Sequence, residues 1–181
     1  MPWLETAERA ARAAGQAIMA HYLGQHEIKV KGLRDIATEA DLAAEAAALK
    51  VIRAECPQGL IVSEESNGEF LDHSGQVTWF VDPLDGTTNY ARGLPSFCVS
   101  VAAVLDGQPI AGVVYDPLDD QLFKAERGQG AYLDGVRLHV SEHTALNGSV
   151  ILVDWPRDQA LRQQAAQFLT RVAPQVDTVR S

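Results

Sequence analysis

The sequence predicts an α+β fold, in which two N-terminal helices precede a run of short strands. Apolar residues recur at helical spacing before residue 57 and at strand-like spacing from residue 60 onwards. Turn signals containing glycine or Asp-Pro separate the later apolar runs, so these strands are expected to pair mostly antiparallel. A chain of 181 residues with 46% hydrophobic residues is long enough to bury a core. We therefore expect two helices packed on a largely antiparallel sheet.

The two predicted helices cover residues 2–23 and 39–56. The first has apolar residues at steps of three and four, namely Leu4, Ala7, Ala11, Ala14 and Ile18. The second is expected to bury a face that consists of Leu42, Ala46, Leu49 and either Ile52 or Arg53. It ends before Pro57, which cannot continue a helix. Between the two helices, residues 27–31 predict a short strand and residues 32–38 a loop.

The rest of the chain predicts strands, followed by one more helix. The predicted strands and hairpin are residues 60–65, 77–83, 97–105, 110–115, 121–125 and 127–138, with a polar loop at 66–76. A further strand, helix and strand follow at residues 149–154, 157–172 and 175–180. The polar stretch 140–148 is the candidate boundary. We expect a first domain at 1–143 and the beginning of an α/β domain at 144–181.

Composition and charge restrict the classes of partner. The formal net charge of −9 disfavours sequence-independent binding to nucleic acid, because an acidic surface repels the phosphate backbone. No apolar run approaches the roughly 20 residues of a membrane helix, and no signal peptide is evident. The two cysteines, Cys56 and Cys98, are expected to be buried and unbridged, as suits a reducing cytosol. We therefore expect a cytoplasmic protein without a membrane partner.

The tetrad Asp-Pro-Leu-Asp occurs at residues 82–85 and again at 116–119. Asp-Pro commonly starts a turn, so a turn is the structural reading of either copy, and we interpret the second copy as a turn between two strands. In the first copy, Asp82, Asp85 and the carbonyl of Leu84 are hard oxygen donors of the kind that Mg²⁺ prefers. The residues that follow, Gly86 to Asn89, are typical of a turn into a helix N-terminus, which binds anions such as phosphate. Asp85 as a simple helix cap is the alternative.

Two other acidic segments also allow a structural reading beside the functional one. Glu64 and Glu65 end a predicted strand and point to opposite faces, so at most one of them faces the first tetrad. Thr38 and Asp41 match a capping box at the start of the second helix, so capping alone explains Asp41. The histidines lack metal-ligand spacing and are interpreted as surface or structural residues, namely His21, His26, His73, His139 and His143.

Four segments in order resemble the inositol monophosphatase family of Mg²⁺-dependent, lithium-sensitive phosphatases. WFVDPLDGTTNYARGLPSFCVSVA (79–102) resembles the metal-binding signature of the family, and DIATEADLAAE (35–45) resembles its D-x-x-T-x-x-D segment. IVSEES (61–66) is similar to its Glu-Glu strand end, and residues 111–141 resemble the strands after the signature. The resemblance covers roughly residues 5–150 and implies a layered α/β sandwich of the sugar-phosphatase type.

The resemblance implies a metal centre with two or three Mg²⁺ ions, for which Mn²⁺ can substitute and which Li⁺ inhibits. Glu64, Asp82 and the carbonyl of Leu84 would hold one ion. Asp82 would bridge to a second ion, which Asp85 also binds. Glu64 would serve a third ion through water.

The resemblance also implies the residues of catalysis and substrate binding. Thr87, paired with Asp41, would orient the attacking water and help to deprotonate it, and Glu64 would contribute to catalysis. The N–H groups of Gly86 and Thr87 would hold the phosphate, and Asp85 would lie beside the substrate.

Members of the family continue after the segment that matches residues 179–181 and there supply a Trp-Asp that completes the second metal site. Asp154 and Trp155 have the reverse order and come too early to be that element. The resemblance therefore implies a C-terminally truncated member, and it leaves open whether the 181-residue chain itself is active. Lys31 would lie in the loop that closes over the metals.

The implied function is Mg²⁺-dependent hydrolysis of inositol monophosphate by a metal-activated water, in a cytoplasmic homodimer. Metals suit this chemistry, because phosphate monoesters react slowly in water and no side-chain nucleophile is evident in the sequence. Fructose 1,6-bisphosphate and a 3′-phosphonucleotide are alternative substrates within the same class of small phosphorylated compounds. A truncated, non-catalytic scaffold that keeps the metal site for folding is the alternative of another class.

Overall fold

The structure is a computed structural model that describes residues 3–32, 35–65 and 75–180. The described helices are α1 (Trp3–His21), α2 (Glu39–Glu55), α3 (Thr87–Tyr90) and α4 (Gln159–Val172), with a 3₁₀ helix at Ala173–Gln175. The described strands are β1 (Lys29–Gly32), β2 (Asp35–Ala37), β3 (Leu60–Ser63), β4 (Val77–Asp85), β5 (Cys98–Leu105), β6 (Gln108–Asp116), β7 (Gln121–Glu126), β8 (Gly130–Leu133), β9 (Val136–Arg137), β10 (Val150–Leu152) and β11 (Thr178–Arg180).

The main sheet has seven strands in the order β3-β4-β5-β6-β7-β8-β9. Strands β3 and β4 are parallel, and every later pair in this sheet is antiparallel. This arrangement confirms the predicted α+β class with a largely antiparallel sheet. The parallel pair matters for the site, because it brings the C-terminal ends of β3 and β4 to the same edge.

Helix α1 buries the face that its sequence predicts. Ala7, Ala11, Ala14 and Ile18 are fully buried, and the helix packs against α2 and the sheet. The core between the helices and the sheet also contains Trp79, which is fully buried. The helical spacing of small and apolar residues therefore gave the correct face for this helix.

The predicted face of helix α2 was wrong at two positions. Leu42 and Ala46 are exposed, whereas the buried residues of this helix are Ala40, Asp41, Ala44, Ala48, Leu49 and Ile52. The buried stripe has alanines at steps of four, and it lies against α1, whose buried face is also rich in alanine. Small side chains let two helices approach closely, so the alanines are inside although leucine is more hydrophobic.

The first Asp-Pro-Leu-Asp tetrad is extended rather than a turn, which corrects the sequence interpretation. Strand β4 continues through Asp85, and the pairs Asp82 with Ser100 and Asp85 with Cys98 leave one extra residue on β4. The segment is therefore a β-bulge, which tolerates Pro83 because the bulge needs no ladder bond there. The second tetrad forms the turn between β6 and β7, as predicted.

Two other local predictions also need correction or fall outside the described residues. The predicted loop 32–38 contains strand β2, which pairs with β1. The predicted last strand 175–180 begins later, because Ala173–Gln175 is a 3₁₀ helix and β11 starts at Thr178. Most of the predicted loop 66–76, with His73, lies outside the described residues.

Gly86 connects the bulge to the single turn of α3. Its φ is +92°, and a Cβ at this position would lie 2.7 Å from the carbonyl oxygen of Ser96 and 3.1 Å from Cα of Phe97. Both a left-handed backbone and a close approach to the chain before β5 therefore require glycine here. This residue fixes the direction in which Thr87 leaves the strand.

The chain divides into two compact units. The first contains residues 1–31 and 36–139, and the second contains residues 32–35 and 140–181. In the second unit, β10 and β11 are parallel and α4 connects them. The interpretation of residues 144–181 as the beginning of an α/β domain stays a prediction. No helix in the described part of the chain is long and apolar enough to cross a membrane.

We predict that Gly86→Ala destabilises the protein more than Gly107→Ala. Gly107 also has a positive φ, +69°, but a Cβ there would have no atom within 4 Å. Both substitutions cost about 1–2 kcal/mol for the left-handed backbone, and Gly86→Ala adds about 1–3 kcal/mol for the clash with the backbone of residues 96–97. Urea unfolding measures both free energies, and equal losses would contradict the close approach.

Candidate active site

The ends of the parallel strands β3 and β4 bring two carboxylates together. Ser63 pairs with Val81, and the amide of Glu64 donates to the carbonyl of Val81 at 3.2 Å. Glu64 therefore leaves β3 beside Asp82, the next residue of β4. Of the Glu64–Glu65 pair, Glu64 is thus the residue that faces the first tetrad.

Asp82 lies in an environment that opposes its negative charge. Burial, followed by the charges of Glu64 and Asp85, raises the pKa of Asp82 from its usual 3.8 to about 7. A hydrogen bond to Glu64 also raises the pKa, whereas the bond from the amide of Leu84, 3.2 Å from Oδ1, lowers it. A proton or another cation at this position would relieve the repulsion between the carboxylates.

The described residues bring together only part of the predicted ligand set. Within residues 3–32, 35–65 and 75–180, no group of three or more His, Cys, Asp or Glu side chains is arranged to hold a metal ion. Glu64 and Asp82 are in contact, and Asp85 is close enough for its charge to act on Asp82. Asp85 is exposed, and its Oδ2 lies 3.9 Å from Sγ of Cys98.

Asp41 is held by hydrogen bonds to both of its carboxylate oxygens. Its Oδ2 accepts from the amide and from Oγ1 of Thr38, each at 2.7 Å, which is the predicted capping interaction of α2. Its Oδ1 accepts from Oγ1 of Thr87 at 2.9 Å. Asp41 is only 1% exposed, so the capping role and the predicted contact with Thr87 coexist in one buried carboxylate.

The hydroxyl of Thr87 has two acceptors within reach. Oγ1 lies 2.9 Å from Oδ1 of Asp41 and 3.0 Å from the carbonyl oxygen of Leu84. A hydroxyl has one proton, so it donates to one of them at a time while its lone pairs remain able to accept. Thr87 thereby connects the buried carboxylate of α2 to the carbonyl in the middle of the first tetrad.

The amides of Gly86 and Thr87 lie at the start of α3. Later in this turn, the amides of Asn89 and Tyr90 donate to the carbonyl of Gly86 at 2.8 and 3.0 Å. Amides that open a helical turn have no partner within the helix. The predicted roles of Gly86, Thr87 and Asp85 in holding a phosphorylated substrate stay predictions.

Sequence reasoning missed two ion pairs near this site. Lys31 donates from Nζ to Oε1 of Glu65, whose side chain is 5% exposed, and burial nevertheless raises the pKa of Glu65. His26 contacts Glu39 in the first turn of α2; burial alone would raise the pKa of Glu39, but this bond and backbone amides lower it. Neither pair has a signal in the sequence pattern, because the members of the two pairs are 34 and 13 residues apart.

Curated relatives that resemble the chain carry the name Nus factor SuhB. The protein of Salmonella typhimurium is 43% identical over 157 residues, which are 86% of this chain and 58% of that protein. The protein of Haemophilus influenzae is 41% identical over 169 residues, 92% of this chain and 62% of that protein. The chain thus spans about three fifths of the length of these relatives.

Solved structures of similar fold include the extragenic suppressor protein suhB of Bartonella henselae and the IMPase of Thermotoga maritima. The first has a TM-score of 0.90 and 32% identity and matches 97% of this chain and 68% of that chain. The second has a TM-score of 0.85 and 31% identity and matches 99% of this chain and 68% of that chain.

Two structures with lower identity are named for a substrate or for a further activity. IMPase-II from Staphylococcus aureus, solved with inositol monophosphate, has a TM-score of 0.76 and 26% identity over 99% of this chain and 64% of its own. An inositol monophosphatase–fructose 1,6-bisphosphatase has a TM-score of 0.77 and 26% identity over 99% of this chain and 68% of its own.

The sequence model of the inositol monophosphatase family matches residues 1–180, nearly the whole chain. The match includes the acidic strand ends, the bulged tetrad and the threonine that contacts Asp41. This chain belongs to the inositol monophosphatase family.

Proposed function

We propose that the protein is a Mg²⁺-dependent phosphomonoesterase that hydrolyses inositol monophosphate. The observation that carries the proposal is the hydrogen bond from Thr87 to the buried Asp41. Thr87 follows the last residue of the acidic tetrad by two positions. A hydroxyl that is held by a buried carboxylate beside a pair of crowded carboxylates suits the activation of water next to a divalent cation. The structural alternative, a simple cap at Asp41, does not explain this contact.

The residues at the strand ends fit Mg²⁺ by the chemistry of their donors. The proposed ligands are Glu64, Asp82, Asp85 and the carbonyl of Leu84, all of them hard oxygen donors. The raised pKa of Asp82 reflects crowded negative charge, which a bound cation would compensate. When bound, the metal would lower the pKa of a coordinated water and neutralise charge on the phosphoryl group. Two or three Mg²⁺ ions, replaceable by Mn²⁺ and inhibited by Li⁺, belong to this proposal.

Thr87 and Asp41 are proposed to orient the attacking water and to take part in its deprotonation. While Thr87 donates its proton to Oδ1 of Asp41, its lone pairs can accept a hydrogen bond from water. Thr38 fixes the carboxylate from its other side, so the direction of the acceptor is set before substrate binds. Glu64, which contacts Asp82, is proposed to contribute to catalysis.

The substrate assignment rests on the relatives and on the first turn of α3. The amides of Gly86 and Thr87 are proposed to bind the phosphate, with Asp85 beside the polyol. A structure of 26% identity was solved with inositol monophosphate, which favours this substrate. Fructose 1,6-bisphosphate is the alternative, favoured by the name of another structure of 26% identity, and a 3′-phosphonucleotide is a further one. A cytoplasmic location and a homodimer are part of the same proposal.

We predict that the purified protein releases phosphate from inositol monophosphate only when Mg²⁺ is present. Thr87→Val should lower kcat by about 10²–10⁴-fold, because it removes the hydroxyl that orients water but keeps the shape of the side chain. Thr88→Val is the matched control, since Thr88 is the next residue and is exposed. A colorimetric phosphate assay gives both rates. Release without metal, or equal rates for the two variants, would contradict the proposal.

A second prediction concerns pH and metal at Asp82. Because its pKa in the folded protein is raised from 3.8 to about 7, the folded state binds this proton more tightly than the unfolded state does. In EDTA, the stabilisation from the proton is therefore present below about pH 4 and is lost as the pH rises towards 7. Asp82→Asn should be more stable than wild type at pH 8 and similar to it near pH 4.

Mg²⁺ at ten times its Kd should stabilise the wild type by about 1.4 kcal/mol at pH 8 and should not stabilise Asp82→Asn. Asp116→Asn is the control, because Asp116 starts the other tetrad and also accepts the amide two residues later, from Leu118 at 2.8 Å. Unfolding in denaturant gives the free energy of unfolding of the wild type and of both variants. An Asp82→Asn protein that follows the wild type in pH and Mg²⁺ response would exclude Asp82 from the metal site.

A second candidate function is a non-catalytic role. The 41–43% identity to proteins that are named Nus factor SuhB, rather than for phosphate hydrolysis, favours it. In that case the acidic site serves folding, and the biological role survives Asp82→Asn. Complementation of a strain that lacks the gene distinguishes the two: retained growth with abolished phosphatase supports the non-catalytic role, and lost growth with an intact fold contradicts it.

A further inference from the structure

His26 lies in the connection between α1 and β1, and its side chain is only 5% exposed. Its Nδ1 lies 2.9 Å from Oε1 of Glu39, and the backbone amide of Glu27 donates to Oε2 of the same carboxylate at 2.9 Å. Since a carboxylate only accepts, Nδ1 carries the proton in this contact. The connection therefore occupies both oxygens of Glu39.

The His26 ring packs against the ring of Tyr90, with the two centroids 4.8 Å apart and the ring planes inclined at 43°. Tyr90 is fully buried, and its hydroxyl donates to the carbonyl of Ile18 in α1 at 2.8 Å. The rings of Tyr22 and Phe97 complete this aromatic cluster, with centroids 5.6 and 5.1 Å from that of Tyr90. His26 thus contacts α2 through Glu39 and α3 through Tyr90.

The two contacts of His26 thus reach α2, which carries Asp41, and α3, which carries Thr87. Glu39 is the first residue of α2 and precedes Asp41 by two residues, while Tyr90 is the last residue of α3 and follows Thr87 by three. We propose that His26 is a positioning residue that fixes the start of α2 against α3 and thereby sets the hydrogen bond from Thr87 to Asp41. This inference rests on the proposed function, because it assigns to that bond a role in orienting water.

The geometry explains why such a support is needed. Helix α3 is a single turn of four residues, and so short a helix is not stable by itself. Its orientation therefore depends on how its side chains pack, and Tyr90 is the residue of α3 that is buried. A small shift of Thr87 relative to Asp41 would lengthen a 2.9 Å hydrogen bond, and misplacement by about 1 Å can cost roughly 10²-fold in rate.

Three substitutions separate the two contacts of His26. His26→Phe keeps a ring on Tyr90 and loses the donor to Glu39, whereas His26→Asn keeps a donor and loses the ring. His26→Ala loses both. We expect His26→Ala to lower kcat by about 10- to 100-fold with little change in KM, and the other two variants to retain intermediate rates. Glu39→Gln combined with His26→Ala should cost no more than His26→Ala alone, because both changes remove the same contact.

Glu55→Gln is the control for loss of a side-chain contact of α2 that does not involve α3. Glu55 lies at the other end of α2 and accepts from Nε of Arg9 at 2.7 Å and from Oγ1 of Thr6 at 2.6 Å. Its loss weakens a comparable contact of the same helix without touching α3. We therefore expect Glu55→Gln to lower stability and to leave kcat unchanged.

Amide hydrogen exchange measures the same positioning without any activity. We expect His26→Ala to accelerate exchange in residues 36–42 and 86–93 together, and Glu55→Gln to accelerate it in neither. If exchange and kcat of His26→Ala match those of Glu55→Gln, the inference is wrong. If the wild type releases no phosphate with Mg²⁺, the proposed function fails instead, and unchanged exchange in either segment of His26→Ala then overturns the positioning role by itself.

Discussion

The repulsion between Glu64 and Asp82 is the constraint on which the site depends. The parallel pairing of β3 and β4 places these carboxylates side by side, and the half-buried position of Asp82 weakens the screening by water. Such an arrangement costs stability unless a proton or a metal ion compensates it. The cost is confined to the place where β3 and β4 end, and carboxylates with such perturbed pKa values are typical of functional sites.

The other parts of the site follow from how the chain leaves that edge. The bulge keeps β4 extended through Asp85, and the left-handed Gly86 then turns the chain into α3 beside the start of β5. This path carries Thr87 to the buried Asp41, whose second oxygen is already occupied by the cap of α2. The cap of α2, the bulge of β4 and the turn at Gly86 together place the hydroxyl of Thr87 against the carboxylate of Asp41.

Local sequence patterns predicted features that depend on neighbours along the chain. The distant pair of Thr87 and Asp41 came only from the family resemblance, and the contact of His26 with Glu39 was missed. The capping pair Thr38–Asp41 and the buried face of α1 follow local rules, and both are present. The same local rule suggested a turn at both Asp-Pro-Leu-Asp tetrads, but pairing with β5 keeps the first one extended. The contact of His26 with Glu39 needs the folded connection between α1 and β1, which no periodicity encodes.

We propose that a divalent cation relieves the charge repulsion that burial and neighbouring carboxylates impose on Asp82. Carboxyl-carbon NMR of the protein, titrated with and without Mg²⁺, measures the pKa of Asp82 directly. The account predicts a pKa of about 7 without metal and a titration shifted well below this value when Mg²⁺ is bound. Titration near the usual 3.8 in the absence of metal, or no response to Mg²⁺, would contradict it.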